Sequence, residues 1–234
     1  MTEITTPTDG VVADKSLFAR LLGVLFSPRE TFAAVAAHPR WFGMLALIAV
    51  AGAVLVGGFM FTAVGQQTFL DAFERQGNAQ QLAIMQRIAP YMGYVYAGSA
   101  LVIGPLFQVL VAAALFGVFM ALGGDARFKQ VFSVLVHASV VSLVGQVILV
   151  PVQYLTQSAK VVTNASVFFP MLDDQSFLFM LASRIDLFTI WFLVVLSIGL
   201  GVLYRRRTGS IATVFFVLYA LIALGIAAIQ AARS

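Results

Sequence analysis

The sequence has no cysteine, only two histidines and few charges, and each shortage removes a class of chemistry. Without cysteine there is neither a disulfide framework nor a thiolate metal site, and the redox compartment stays open. His38 and His137 cannot build a metal cage on their own, so neither metal nor cofactor is expected. No Gly-x-Ser-x-Gly elbow, His-Glu-x-x-His pair, P-loop or dinucleotide fingerprint occurs. The expectation is a protein that is not an enzyme and has no catalytic residues. Charged residues make up 10% of the chain, against about 25% in soluble proteins. No carboxylate falls near the centre of an apolar block, so the buried charges of an ion-coupled pump are missing. The net charge is only +4, and no nucleic-acid partner is expected.

What the chain has is apolar surface: 61% hydrophobic residues and a mean hydropathy of +0.96. Five long apolar blocks separated by short polar joints predict an all-α, polytopic membrane helical bundle. The expected transmembrane spans are residues 42–64, 96–122, 131–154, 187–204 and 211–229, within a membrane domain covering 42–230. Residues 1–15 read as a disordered tail, since they lack an apolar period. Residues 16–41 read as short amphipathic cytosolic helices. Because the first apolar run begins near Trp41, behind Lys15, Arg20, Arg29 and Arg40, the first span is expected to be retained rather than cleaved.

Within the N-terminal region, Leu17, Phe18, Leu21, Leu22 and Leu25 define one helix face, placed to lie on a membrane or on neighbouring helices. Ser27-Pro28-Arg29-Glu30 has the pattern of a capping box with proline at the first helical position, and it predicts a second helix that stops before His38-Pro39. In the first span Ala49, Ala53 and Gly57 form a small-residue seam for a second helix. Between residues 66 and 94, Gly77-Asn78 separates two short interfacial patterns on the far side, followed by the aromatic belt Tyr91, Tyr94 and Tyr96. The segment 156–183 also reads as external and interfacial, and its Asn164-Ala165-Ser166 triplet is a commonplace match to a glycosylation acceptor.

The second span carries Gly104-Pro105 with Gln108 close behind. In the third, Ser139, Ser142, Gln146 and Gln153 share one face while Ser133 and His137 lie opposite. An unpartnered amide in hydrocarbon is costly, so Gln108 and the first stripe are expected to face other helices or a wet cavity. Counted from Ala126, Gln108 and Gln146 lie at similar depth and are candidates for an interhelical pair.

Charge sets the expected orientation. Nine of the fourteen basic residues (Lys15, Arg20, Arg29, Arg40, Arg127, Lys129, Arg205, Arg206 and Arg207) fall on one side of a five-span chain, and Arg75, Arg87, Lys160, Arg184 and Arg233 on the other. The positive-inside rule then predicts a cytoplasmic N-terminus and an external C-terminus.

Several motifs, taken in order, resemble the Yip family of membrane proteins, named for interacting with Ypt/Rab-type GTPases, and its bacterial relatives. They are Ser27-Pro28-Arg29-Glu30-Thr31-Phe32, Pro39-Arg40-Trp41, the turn Gly123-Gly124, Phe128-Lys129, Ala138-Ser139, and Ile185-Asp186-Leu187-Phe188-Thr189-Ile190-Trp191. The resemblance implies five spans and a non-enzymatic role organising partner proteins or the bilayer. Two departures stand out. Val140 and Val141 replace the proline the family often has after the Ala-Ser step, and the long N-terminal extension of eukaryotic members is missing, which argues against GTPase binding. Eleven arginines against three lysines, with abundant alanine and glycine, point to a bacterial plasma (inner) membrane. Two function classes remain. One is a membrane scaffold or adaptor, whose partners are the lipid bilayer, other membrane proteins or further copies of itself. The other is a transporter or lipid-translocating protein using a polar path between spans two and three.

Overall fold

A computed structural model describes residues 16–74, 79–157, 163–173 and 176–231. The expected tail at residues 1–15, the Gly77-Asn78 break, and Arg75, Lys160 and Arg233 lie outside the described residues. The described chain is helical throughout, with one isolated antiparallel bridge between Asn164 and Asp186.

Two ten-residue helices come first, α1 (Leu17–Phe26) and α2 (Pro28–Ala37). The first span runs Phe42–Met60 and comprises α3 (Phe42–Gly52), a π-helical turn at Ala53–Gly57 and α4 (Gly58–Met60). It stops short of the expected residue 64 because the chain turns at Phe61-Thr62, where the Thr62 hydroxyl donates to the Phe59 carbonyl at 2.6 Å. Two short helices follow, α5 (Ala63–Glu74) and α6 (Ala79–Ile88). Next comes α7 (Met92–Ala121), 30 residues long and uninterrupted at Pro105. The third span is α8 (Phe128–Ala138) and α9 (Val140–Leu155), which meet at Ser139. That break is present although valines stand where a proline was expected. Ser139 sits at ψ −9 and its hydroxyl donates back to Leu135 O at 3.0 Å, a local bond of the kind that bends helices. A short α10 (Phe177–Ala182) leads to α11 (Leu187–Leu203), and α12 (Thr208–Ala231) completes the chain.

Four of the described helical stretches are long and apolar enough to cross a membrane. At 17 residues α11 is the shorter, fifth candidate, about 25 Å at 1.5 Å per residue. It lies antiparallel to α12: Arg184 just before it donates to Gln230 Oε1 at 2.8 Å, the Asp186 N–H donates to the Tyr219 hydroxyl at 3.3 Å, and that hydroxyl donates to the Arg184 carbonyl.

The core is built around α8, in which every residue from Val131 to Ala138 is buried. A helix buried on every face needs neighbours all round. Here α3, α7 and α11 supply part of the wall, and the hairpin α1–α2 supplies the rest. Val24, Phe32 and Val35 are at most 1% exposed and belong to the same core. At Gly199 this packing leaves no room for a side chain: a Cβ there would lie 2.6 Å from Val134 Cγ1 and 3.1 Å from the Phe32 ring.

The expected capping box at Ser27 does not form, because Ser27 serves two helices. Its N–H closes α1 on Gly23 O at 2.8 Å, and its side chain makes no capping bond to α2. With that N–H engaged, Glu30 has nothing to reach back to. A comparable contact forms instead at α8, where Gln130 Oε1 accepts from the Arg127 N–H at 2.8 Å and Gln130 Nε2 donates to Ala36 O at 2.9 Å. One glutamine thus starts α8 and fastens the end of α2 to it.

Candidate functional site: a mid-depth crevice

The turn after α7 fixes the geometry from one end. Gly123 has φ +79 and its N–H bonds Met120 O, while the Gly124 N–H bonds Phe119 O at 2.8 Å. That pair of bonds is a Schellman closure, which favours glycine at the left-handed position. Gly124 is required for a different reason: a Cβ there would lie 2.6 Å from the Tyr204 ring, which stacks on Phe119 at 4.3 Å. Arg206 then donates to Leu122 O at 2.6 Å. The Gly123–Arg127 turn and the Arg205–Arg207 turn are therefore neighbours. Arg20, which donates to Arg40 O at 2.9 Å, and Trp41, whose ring meets Phe132 at 5.1 Å, are at the same end. The basic residues of separate segments collect there, whereas Arg184 lies at the other end beside Gln230.

From that end α7 leans across the bundle. Phe116 meets Phe128 of α8 near the turn, whereas its first half packs on the π-turn, where a Cβ at Gly57 would lie 2.8 Å from Ala97 Cβ. The small-residue seam of the first span is thus a contact with α7. Where α7 passes from one neighbour to the other, at Gly104-Pro105, a crevice of about 630 Å³ opens.

The crevice is bounded by the first span from Leu45 through Gly52 to Val56, by α7 and by the Ser139 to Gln146 stretch, with Phe192 of α11 behind. Its walls are apolar apart from Tyr96, Ser99, Gln108, Ser139, Ser142 and Gln146. Gly52, Gln108 and Gln146 each lie near the middle of their helices, so the polar groups sit at mid-depth. Phe107 and Ile103 on its edge are 64% and 56% exposed, so it opens sideways, on the face a lipid would touch.

The two glutamines share this space without bonding one another. Gln108 Oε1 and Gln146 Oε1 are both buried and have no hydrogen-bond partner. A Cβ at Gly52 would lie 3.5 Å from Gln146 Oε1, an ordinary van der Waals contact, so that amide lies directly against the first span. Ser139 and Ser142 line the same crevice, Ser139 with its hydroxyl already committed to Leu135 O. Gln153 is half-buried near the far end of α9 and is not among the lining residues. On the opposite face of α8, His137 and Ser133 are fully buried, with His137 Nδ1 2.7 Å from Ser133 O.

The remaining motif residues hold the architecture. Asp186 caps α11, accepting from the Thr189 N–H at 2.8 Å and the Thr189 hydroxyl at 3.1 Å, and also accepts from the Thr163 hydroxyl at 2.6 Å. One carboxylate thereby ties the 163–173 segment to the start of α11, while Arg184 turns to Gln230. Trp191 packs with Phe188 against the core. Among the described residues no three His, Asp or Glu side chains gather in a way that would hold a metal. Three structural features went unnoticed in the sequence: the roles of Gln130 and Tyr204 and the π-turn at Ala53–Gly57. Only Gln130 left a signal, as the glutamine at the third position after the turn.

Among curated proteins, and among solved structures, none matches the chain. The model of the Yip1 domain matches residues 22–229, from the middle of α1 nearly to the end of α12. The chain is a multi-pass membrane protein of the Yip family.

Proposed function

We propose that this protein is a non-enzymatic membrane scaffold, and that its mid-depth crevice receives a transmembrane helix of a partner protein. The observation that carries this reading is the pair of buried, unpartnered amide oxygens, Gln108 Oε1 and Gln146 Oε1, facing a space that opens sideways. Leaving such acceptors unpaired in hydrocarbon costs free energy, and acyl chains have no donors at mid-depth. A helix bearing Ser, Thr, Asn or Gln supplies them, and the small residues Ala49 and Gly52 on the opposite wall allow close approach. The lining residues include no Asp, Glu, His, Lys or Arg, which fits docking better than ion-coupled transport.

The same reading places the protein in a bacterial plasma membrane with its N-terminus in the cytoplasm and its C-terminus outside. The gathering of Arg20, Arg40, Arg127 and Arg206 at one end supports that orientation.

A photo-crosslinking residue at Phe107, on the edge of the crevice, tests the function in native membranes. The expected product is a protein adduct of defined mass that disappears when Gly52→Leu fills the floor. Adducts to lipid alone would overturn the scaffold reading. They would favour the second one, in which the polar groups line a route for a lipid or solute between spans two and three.

A further inference from the structure

The hairpin α1–α2 buries one side of each helix against the bundle, and the two outward sides are unlike. On α2 the outward residues are Arg29, Glu30, Ala33 and Ala37, a mixture suited to water or headgroups. On α1 they are Phe18, Ala19, Leu22 and Phe26, without a polar group among them. Phe18 is 68% and Phe26 80% exposed. Residues four apart stack along one face, so Phe18, Leu22 and Phe26 form an apolar stripe opposite the packed Leu17, Leu21 and Val24. This helix is apolar on both sides, and its inner side is already accounted for by the protein.

The position of α1 indicates what covers the outer side. Leu17 touches the start of the first span, since a Cβ at Gly43 would lie 3.4 Å from Leu17 Cδ1. The neighbouring Phe42 is 71% exposed, and Val50 and Val54 continue the outward apolar surface of that span. The stripe on α1 therefore stands beside a surface that lies against acyl chains in a membrane-spanning helix. Basic residues lie on the same hairpin: Arg20 reaches Arg40 O, and Arg29 is exposed on the other arm.

We infer that α1 lies in the plane of the bilayer, in the leaflet at the basic end of the bundle, with Phe18, Leu22 and Phe26 inserted among the acyl chains. The partner is the lipid surface itself, and the nearby arginines favour anionic headgroups. Insertion to about 5–10 Å below the headgroup boundary is the depth at which such helices bind. The hairpin thus bridges two environments, with its inner face completing the α8 core and its outer face occupying one leaflet only.

The cysteine-free chain permits a direct test. Single variants Phe18→Cys and Phe26→Cys of the full protein, labelled with a polarity-sensitive fluorophore, are reconstituted in vesicles of mixed phosphatidylcholine and phosphatidylglycerol. Ala33→Cys on α2 is the control. The expected result is blue-shifted emission at 18 and 26, strong quenching by acyl-brominated lipid and little by aqueous iodide, with the opposite at 33. Iodide quenching at 18 and 26 would overturn the inference, because the stripe would face water. Quenching by neither agent would also overturn it, because protein would then cover the stripe. Equal lipid quenching at 33 would overturn it as well, because the stripe would then be no deeper in the bilayer than the outward face of α2.

Discussion

Two helices of nearly equal hydropathy have opposite places in this bundle. The segment containing α7 has a hydropathy of 2.3 and only 6% of its window buried, whereas the α8–α9 stretch has 2.1 and 61% buried. Apolarity brings both into the membrane and does not decide which becomes the centre. Neighbours decide it. α7 meets the protein along a narrow seam of small residues such as Gly93, Ala97, Ala100 and Ala112, leaving Val102, Leu106 and Leu110 outward. α8 is enclosed because the α1–α2 hairpin, outside the spans predicted from hydropathy, covers the side that would otherwise meet lipid.

The largest effect that sharpens this contrast is expected at the covering hairpin. Phe32→Ala should cost about 3–5 kcal/mol, the range for a fully buried phenylalanine, read as a loss of thermal stability of the purified protein. A stability unchanged by this substitution would mean that α2 is not part of the core. Next comes Gly199→Leu, which drives a side chain into Val134 and Phe32 and should cost about 1–3 kcal/mol by overpacking; pairing it with Phe32→Ala should recover part of the loss. Asp186→Ala removes a cap and the tie to Thr163, with an expected cost of about 1–2 kcal/mol. Its specific sign should be faster proteolysis of the 163–173 segment than in wild type.

Smaller effects are expected in the crevice. Interhelical hydrogen bonds in membranes contribute about 0.6 kcal/mol on average, and neither glutamine oxygen makes one here. Gln108→Leu and Gln146→Leu each remove an unpaired buried amide oxygen and should therefore raise stability slightly, with a double-mutant cycle additive within about 0.5 kcal/mol. A coupling clearly above that would show that the two amides pair after all. The smallest effect belongs to the outer face of α7, where Val102→Ala and Leu110→Ala exchange lipid contact for lipid contact. A substantial loss at either would place an unseen neighbour on that face.

The helical class was legible because the apolar blocks are long, and four of the described helical stretches are long and apolar enough to cross a membrane. The Gly123-Gly124 turn was legible too, since glycine at that spacing serves a helix end. Polar residues at 3.6 periodicity placed Ser139, Ser142 and Gln146 on one face, and the structure brings them to one crevice with Gln108. What could not be read depends on partners distant in sequence. Gln153 shares the periodic face but lies too far along α9 to reach the crevice. The Ser27 box failed because the preceding helix claimed the same N–H. The π-turn has no residue signature, and the pairing of Tyr204 with Gly124 joins turns separated by α8, α9, α10 and α11.

The central claim is that the N-terminal hairpin is a wall of the bundle rather than an appendage to it. Amide hydrogen exchange of the full protein in lipid nanodiscs tests this most directly, by comparing α2 with α8 and with the outlying α6. The account predicts that amides from Phe32 to Ala36 exchange as slowly as those of α8 and far more slowly than those of α6. Exchange of α2 at the rate of α6 would contradict it.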